Sequence, residues 1–494
     1  LEILQFGTYT YERLHPPLVR LAVAIGPYLD GSRLPTRRDG NVVGDTWSFH
    51  DGSEALRSTG DYWRSLTLAR LGVLPFLVLL FGITYVWARS LYGDWVGVVA
   101  VALLSVLSPI LGHAGVATLD VPCAATVTLA LFVFVRWMDQ PTLRQAIWTG
   151  VAIGFAVLVK FSATTFLGAA LVLAVAWRRC AVPLRHLGFA TVALFVTLWA
   201  GYGFSMHRLE QGWGPHPRID QTLAAHPVLQ TPFRLAMNTP LPLTELVIGV
   251  RDLARKNQLG HESYLLGESR RTGWWYFFPV VLGVKTPLGF LLLAIAGIVL
   301  VTRSPDKRPV LFAAAIFAVC LVSNIDLGVR HILPIYPLLA LGAANVVVNA
   351  PPRWLLIPCA LAAWTVFDSV RAAPDYLAHF NEIAGSRPES ILAESDLDWG
   401  QDLDRLARRL RTQQVPSIAI RYFGSAFLET AGLPEYRELD AHTPTTGWIA
   451  ISATSALAVQ ERSSAGGTSS TSRWRAPSPR APAVSHRPAA SHPS

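Results

Sequence analysis

The sequence predicts an all-α polytopic membrane protein that ends in a small α/β domain. Three observations carry this. About ten long apolar runs alternate with short charged gaps, and most approach the roughly 20 residues a helix needs to cross a bilayer core. Charged residues make up 15% of the 494 and apolar residues 51%, whereas a soluble domain is about one quarter charged. Past residue 368 the long runs stop, and shorter strand-like and helix-like patterns replace them.

Residues 1–65 are polar and aromatic, with two amphipathic stretches, 18–29 and 52–64, suited to lie on a membrane surface. Apolar runs follow at 66–88, 95–112 and 119–135. The stretch 146–177 is long for one crossing and short for two, and Lys160-Phe161-Ser162 interrupts it. Read as a hairpin, it gathers Arg89, Arg136, Arg144, Arg178, Arg179, Arg185, Arg303, Lys307, Arg308 and Arg353 on one side. Only Lys160 and Arg330 are left in the short gaps of the other side, which is the asymmetry of the positive-inside rule. The hairpin is therefore preferred. Runs at 187–205, 279–301, 309–323, 332–348 and 354–367 complete a transmembrane domain over 66–367, with ten expected crossings.

This topology puts 1–65, 113–118, 207–278, 324–330 and everything after Asp368 outside the cytoplasm. In the external domain, 368–459, strands are predicted at 390–395, 416–423 and 447–453 and a helix at 400–413. Residues 460–494 are Ser, Pro, Ala, Gly, Arg and His in the main and are expected to be disordered.

The net charge of +9 does not mark a nucleic-acid partner. Arg outnumbers Lys 38 to 4 and sits beside apolar runs, as membrane topology requires, not in a groove-binding patch. Cys123, Cys180, Cys320 and Cys359 share no metal-ligand spacing and read as small packing residues. The residues demand no cofactor and no metal, and a divalent ion is neither required nor excluded.

Asp120 heads an apolar run at the external boundary, with Pro122 in its first turn. A carboxylate there is costly against lipid, so it faces an interior site, caps the helix, or does both. His15 precedes Pro16-Pro17-Leu18, a rigid start to a helix, where a His or a cation meets a phosphate or simply marks a Pro-rich turn. Lys160 and Lys285 interrupt apolar runs, and each either pairs with an anion or snorkels to the interface. Arg330-His331 lie before Leu333-Pro334-Ile335-Tyr336-Pro337, suited to clamp phosphate by charge-assisted hydrogen bonds or to anchor at the interface. Glu262 and Tyr264, then Trp274 and Trp275, combine polar groups with an aromatic belt that offers platforms for sugar rings. Asp396 and Asp398 read first as acids near a helix start, and second as metal or sugar contacts.

Taken together, the external acid, the His-Pro-Pro-Leu segment, Gly273-Trp274-Trp275-Tyr276-Phe277-Phe278-Pro279, Lys285-Thr286-Pro287, Leu-Pro-x-Tyr-Pro and Asp396-Leu397-Asp398-Trp399-Gly400-Gln401-Asp402-Leu403 resemble one family. They are similar to a bacterial branch of the GT-C membrane glycosyltransferases, family 39 and dolichyl-phosphate-mannose–protein mannosyltransferase-like, over about residues 1–455. The resemblance implies a polyprenyl-phosphate sugar donor, a protein, lipid or glycan acceptor, and a site on the periplasmic face of a bacterial inner membrane. It implies a first-loop Asp as the general base, Asp120 as a second catalytic acid heading a helix, and His15, Lys160 and Arg330 near the lipid phosphate; the reading of the residues themselves adds Lys285 and His331 to that group. The family's first-loop acid pair is expected upstream of Gly7-Thr8-Tyr9-Thr10-Tyr11. The chain as given is therefore expected to be a poor catalyst and the whole gene product an active one. In the full-length protein, replacing Asp120 by Asn is expected to abolish transfer and leave folding largely intact. The rivals are a transporter or flippase, which needs broken helices and ionisable groups at the midplane, and a non-catalytic sensor or assembly factor.

Overall fold

The computed structural model describes residues 1–36, 47–178, 184–213, 221–222, 224–301, 306–440, 445–457 and 484–487. Cys180, Arg179, Arg303 and most of 460–494 lie outside these residues.

The chain is mainly helical. Helix Pro17–Leu29 starts after Pro16, whose extended backbone sets its direction. It crosses helix Tyr62–Leu71 at very close range. A Cβ added at Gly26 would stand 2.8 Å from the Leu68 carbonyl, and one at Gly72 would stand 2.4 Å from that of Ala22. The expected amphipathic stretch 52–64 is two helices, Trp47–Arg57 and Tyr62–Leu71. The break has a local cause: the Asp61 side chain accepts from the Arg64 amide at 3.0 Å and starts the second helix.

Three helical segments are long and apolar enough to cross a membrane: Tyr62–Tyr92, Asp120–Asp139 and Leu184–Gly201. Two further runs are bent. The run 95–112 becomes Asp94–Ser105 and Ser108–Ala114, turned by 65°, and the run 279–301 becomes Phe277–Lys285 and Leu288–Val301, turned by 118°. Neither is the straight crossing that apolarity suggests. At the second break Pro287 removes an amide and Thr286 before it is extended (ψ 129°); at the first, Leu107 is extended (ψ 122°) and Pro109 lies in the first turn of the helix that follows. Leu143–Val159, Ser162–Trp177, Arg308–Leu321 and Ile335–Val348 are shorter apolar helices. Helix Leu356–Ala372 follows them. By length and composition, three spans are present among the described residues, or up to five if each bent pair counts as one.

Small residues let these helices touch backbone to backbone, which favours association where lipid offers no hydrophobic drive. Gly297 lies against Gly342, and Gly150 against Ala190. Helix Asp120–Asp139 is the most enclosed of the three long spans. At its end, Arg308 bridges Asp139 and Asp306, each at 2.6 Å. Cys123 and Cys320 are buried free thiols, but Cys359 is exposed and so does not serve the packing expected of it.

The C-terminal domain holds a four-stranded sheet in the order Glu435–Glu438, Ser417–Arg421, Gly447–Ile451 and Val484–Arg487. The first two pairings are parallel and the last is antiparallel. Leu406 and Leu410 of helix Leu403–Thr412 pack on Ile418, Ile420 and Ala450. Two expectations are corrected here. The predicted strand 390–395 is a pair of 3-10 turns, Pro388–Ser390 and Glu394–Asp396, with Leu392 reaching Leu265 in a single bridge. Val484–Arg487, within the tail expected to be disordered, forms the edge strand by pairing its backbone with Gly447–Ile451.

Candidate active site

Lys160 stands where helix Leu143–Val159 ends. Its backbone turns to an extended conformation (φ −155°, ψ 130°), and its side chain leaves toward helix Asp120–Asp139. Lys160 Nζ lies 2.7 Å from Asp120 Oδ1, and the two side chains are 13% and 4% exposed. Asp120 is the first residue of its helix, where the axial dipole also favours a negative charge. Alone, either charge would cost several kcal/mol at such a depth, about enough to exclude it; together they are tenable. The pairing alters one expectation: Asp120→Asn would strand a largely buried ammonium, so folding would not be left intact.

Around the pair, His113 and Arg330 lie within electrostatic reach of the Asp120 carboxylate. His331 feels both Lys160 and Asp120, and His15 feels Lys160 and Glu12. The 3-10 turn Val329–His331 carries two of these groups and packs against helices Ser108–Ala114 and Asp120–Asp139. Burial is the main influence on His331, pushing it down to about 3, with Lys160 beside it acting the same way. His15 is half-buried, and loss of solvent moves its imidazole below the ordinary value too. Burial thus favours the neutral imidazole at both places, and a neutral ring can still donate one hydrogen bond to an anion. Positive charge at this place comes from Lys160 and Arg330.

Among the described residues, buried polar atoms near the pair without a hydrogen-bond partner include Thr118 Oγ1, His113 Nδ1 and His331 Nδ1. Each unmade bond costs about 1–3 kcal/mol. His331 is held edge-on by Phe166, with ring centroids 5.4 Å apart, and lies 5.6 Å from Phe278. The arrangement suits a bound polar group that would satisfy what the fold leaves open.

Lys285 is placed differently from its expected role. Its ammonium is buried at the 118° bend and donates to the carbonyls of Asp396 (2.6 Å) and Leu377 (2.9 Å), with the Phe380 ring 4.0 Å away. Its observed partners are thus two carbonyls of the chain's own backbone. Trp274 is also engaged internally, buried and stacked on Phe277, while its amide donates to Asp326 Oδ2 at 3.0 Å. Trp275 is 72% exposed, Glu262 is exposed, and Tyr264 lies half-buried in the hairpin strand Ser263–Leu265. Among the described contacts, none ties these four residues to the Asp120–Lys160 pair.

Sequence reasoning missed His113, which stands near Asp120, and Trp399, which touches His113 and Arg330. His113 ends the short helix after Pro109, and its only signal was closeness to Asp120 along the chain. Trp399 comes from the C-terminal domain, and its signal was no more than membership of the Asp398-Trp399-Gly400 run. Asp396 and Asp398 accept from backbone amides, those of Val329 (2.8 Å) and Gly400 (2.9 Å). Among the described residues no group of three or more His, Cys, Asp or Glu side chains is gathered to hold a metal.

Comparison with curated proteins gave no match. Among solved structures the chain is similar to ArnT from Cupriavidus metallidurans bound to undecaprenyl phosphate. The identity is 16%, over 85% of this chain and 69% of that one, at a TM-score of 0.45. It is also similar to an Archaeoglobus fulgidus oligosaccharyltransferase tethered with an acceptor peptide, at 11% identity, over 87% and 60% of the two chains, with a TM-score of 0.45. Residues 64–201 match the family model described as dolichyl-phosphate-mannose-protein mannosyltransferase. That segment contains His113, Asp120 and Lys160, and across it the expected resemblance to the GT-C membrane glycosyltransferases is borne out.

Proposed function

We propose that the protein transfers a sugar from a polyprenyl-phosphate donor to a hydroxyl acceptor at the boundary of the membrane. The observation that carries this reading is the buried Asp120–Lys160 pair ringed by Arg330, His113 and His331, with polar atoms left unpartnered. A phosphate is the anion that Lys160 and Arg330 together suit, and a sugar hydroxyl suits the open imidazole and hydroxyl atoms.

In this reading the acceptor oxygen attacks the anomeric carbon as the bond to the phosphate oxygen breaks, with inversion. The acceptor's proton passes to a carboxylate, and the electron pair of the broken bond leaves with the polyprenyl phosphate. Asp120 is the carboxylate assigned to this step, while Lys160 and Arg330 balance the charge that gathers on the departing phosphate. Because that leaving group is stable at neutral pH, positioning supplies much of the rate. His15, within the field of Lys160, is assigned to the same phosphate. Sidedness follows from the Arg distribution: the site lies on the periplasmic face of a bacterial inner membrane. The acceptor is a protein, a lipid or a glycan.

Transfer of radiolabelled sugar from a polyprenyl-phosphate donor, measured in membranes, tests the proposal. Wild-type protein should transfer label and Asp120→Asn should not; equal transfer by both would remove Asp120 from the reaction. One observation favours a second reading, a transporter: a helix turned by 118° with an ionisable residue, Lys285, at the bend. That reading predicts movement of the lipid-linked sugar across vesicles without its consumption.

A further inference from the structure

We infer that the Asp396–Trp399 segment of the C-terminal domain positions Arg330, so that the donor-phosphate site is completed by a domain outside the helical bundle. The inference rests on the donor reading above and adds a positioning role for Trp399.

Arg330 Nε donates to the Leu327 carbonyl within its own loop at 3.2 Å, and three contacts from outside that loop place the residue further. The first fixes its loop: Asp396 Oδ1 accepts from the Val329 amide at 2.8 Å, one residue before Arg330. Gly328 makes room for that approach, since a Cβ there would stand 2.3 Å from Asp396 Oδ2. The second fixes the clamp itself, because Lys285 holds the Asp396 carbonyl at 2.6 Å and so ties the segment to a buried helix end. The third acts on the guanidinium, which lies over the Trp399 ring with Cζ 4.9 Å from the centroid, within cation–π range.

Trp399 is in turn well held. Its indole Nε1 donates to the Ser395 carbonyl at 2.8 Å, and its ring meets His113 edge-on at 6.1 Å. One half-buried indole thus touches both Arg330 and His113, the two groups that stand near Asp120 from outside its own ion pair. An arginine has many rotamers, and a planar face that selects one lowers the entropy lost when phosphate binds. Trp399 therefore acts through Arg330, as a positioning residue.

A double-mutant cycle tests this on the whole chain in detergent, reading the affinity for undecaprenyl phosphate together with thermal stability. Trp399→Ala should weaken binding about tenfold, whereas Trp399→Phe, which keeps an aromatic face, should stay within about threefold of wild type. In an Arg330→Ala background, Trp399→Ala should change affinity by less than about twofold. Independent, additive losses, or wild-type affinity in Trp399→Ala, would overturn the inference while leaving the donor reading in place. Failure of the wild-type protein to bind undecaprenyl phosphate would bring down both.

Discussion

Lys160 and Asp120, 40 residues apart in the chain, meet at 2.7 Å where one apolar helix ends and another begins. Each charge is the other's condition for being buried. Asp120→Asn should therefore lower stability by about 3–5 kcal/mol, through an unpaired ammonium, as well as stopping transfer. Adding Lys160→Met should restore the melting temperature but not the activity. Recovery of both by the double variant would show the pair to be a packing device alone.

Lys285 is expected to behave as a structural lysine. Lys285→Met leaves the carbonyls of Asp396 and Leu377 without a donor at the bend, so the protein should lose about 2–4 kcal/mol of stability. Thermal melting beside a binding titration separates this from a phosphate contact. A phosphate ligand would lose affinity at an unchanged melting temperature.

Asp326 should make stability depend on pH. Burial raises its carboxyl to about 6 from the ordinary 3.8, against the opposing hydrogen bond from the Trp274 amide and the field of His261. The folded form thus holds this proton more tightly than the unfolded form. Its contribution is complete below about pH 3.8 and is lost as the pH rises through about 6. Asp326→Asn should abolish that decline, and the variant should melt a few degrees higher than wild type, roughly 2–4 °C, at pH 7. A wild-type melting profile that is flat between pH 4 and pH 7 would contradict the assignment.

Gly328→Ala should damage the fold and the site together. The residue has φ +74°, and the new methyl would collide with the Asp396 carboxylate. About 1–3 kcal/mol of backbone strain is expected, with weaker phosphate binding through the displaced Val329–His331 turn. Melting and binding should fall in step, and an Ala variant equal to wild type in both would rule out the tight approach.

Much of the architecture was legible because polar interruptions of apolar runs have few explanations in a membrane. Lys160 broke the stretch 146–177 where the helix does end, and Asp120 marked a helix start to the residue. Direction was harder to read. Pro109 and Pro287 both lie within apolar runs, and hydropathy treats a bend of 65° or 118° as a continuous crossing. The role of Lys285 was hidden for a related reason: its partners are backbone carbonyls, which every residue has and no motif records. His113 and Trp399 meet through tertiary folding across almost 300 residues, a distance over which periodicity carries no information. Val484–Arg487 pairs through its backbone, so its composition gave no strand signal.

The 118° bend also orders the making of the protein. The last carbonyls of helix Phe277–Lys285 have no helical successor, and Asn381 supplies the missing donors: its side-chain amide reaches Gly283 and Thr286 at 2.6 Å each, and its own amide reaches Val284 at 2.9 Å. In hydrocarbon such groups have no water to turn to. The corner is thus left open on the ribosome until about a hundred further residues, including the final apolar helix, have been synthesised and inserted, and a nascent chain halted before Asn381 would expose it to the quality-control machinery of the cell.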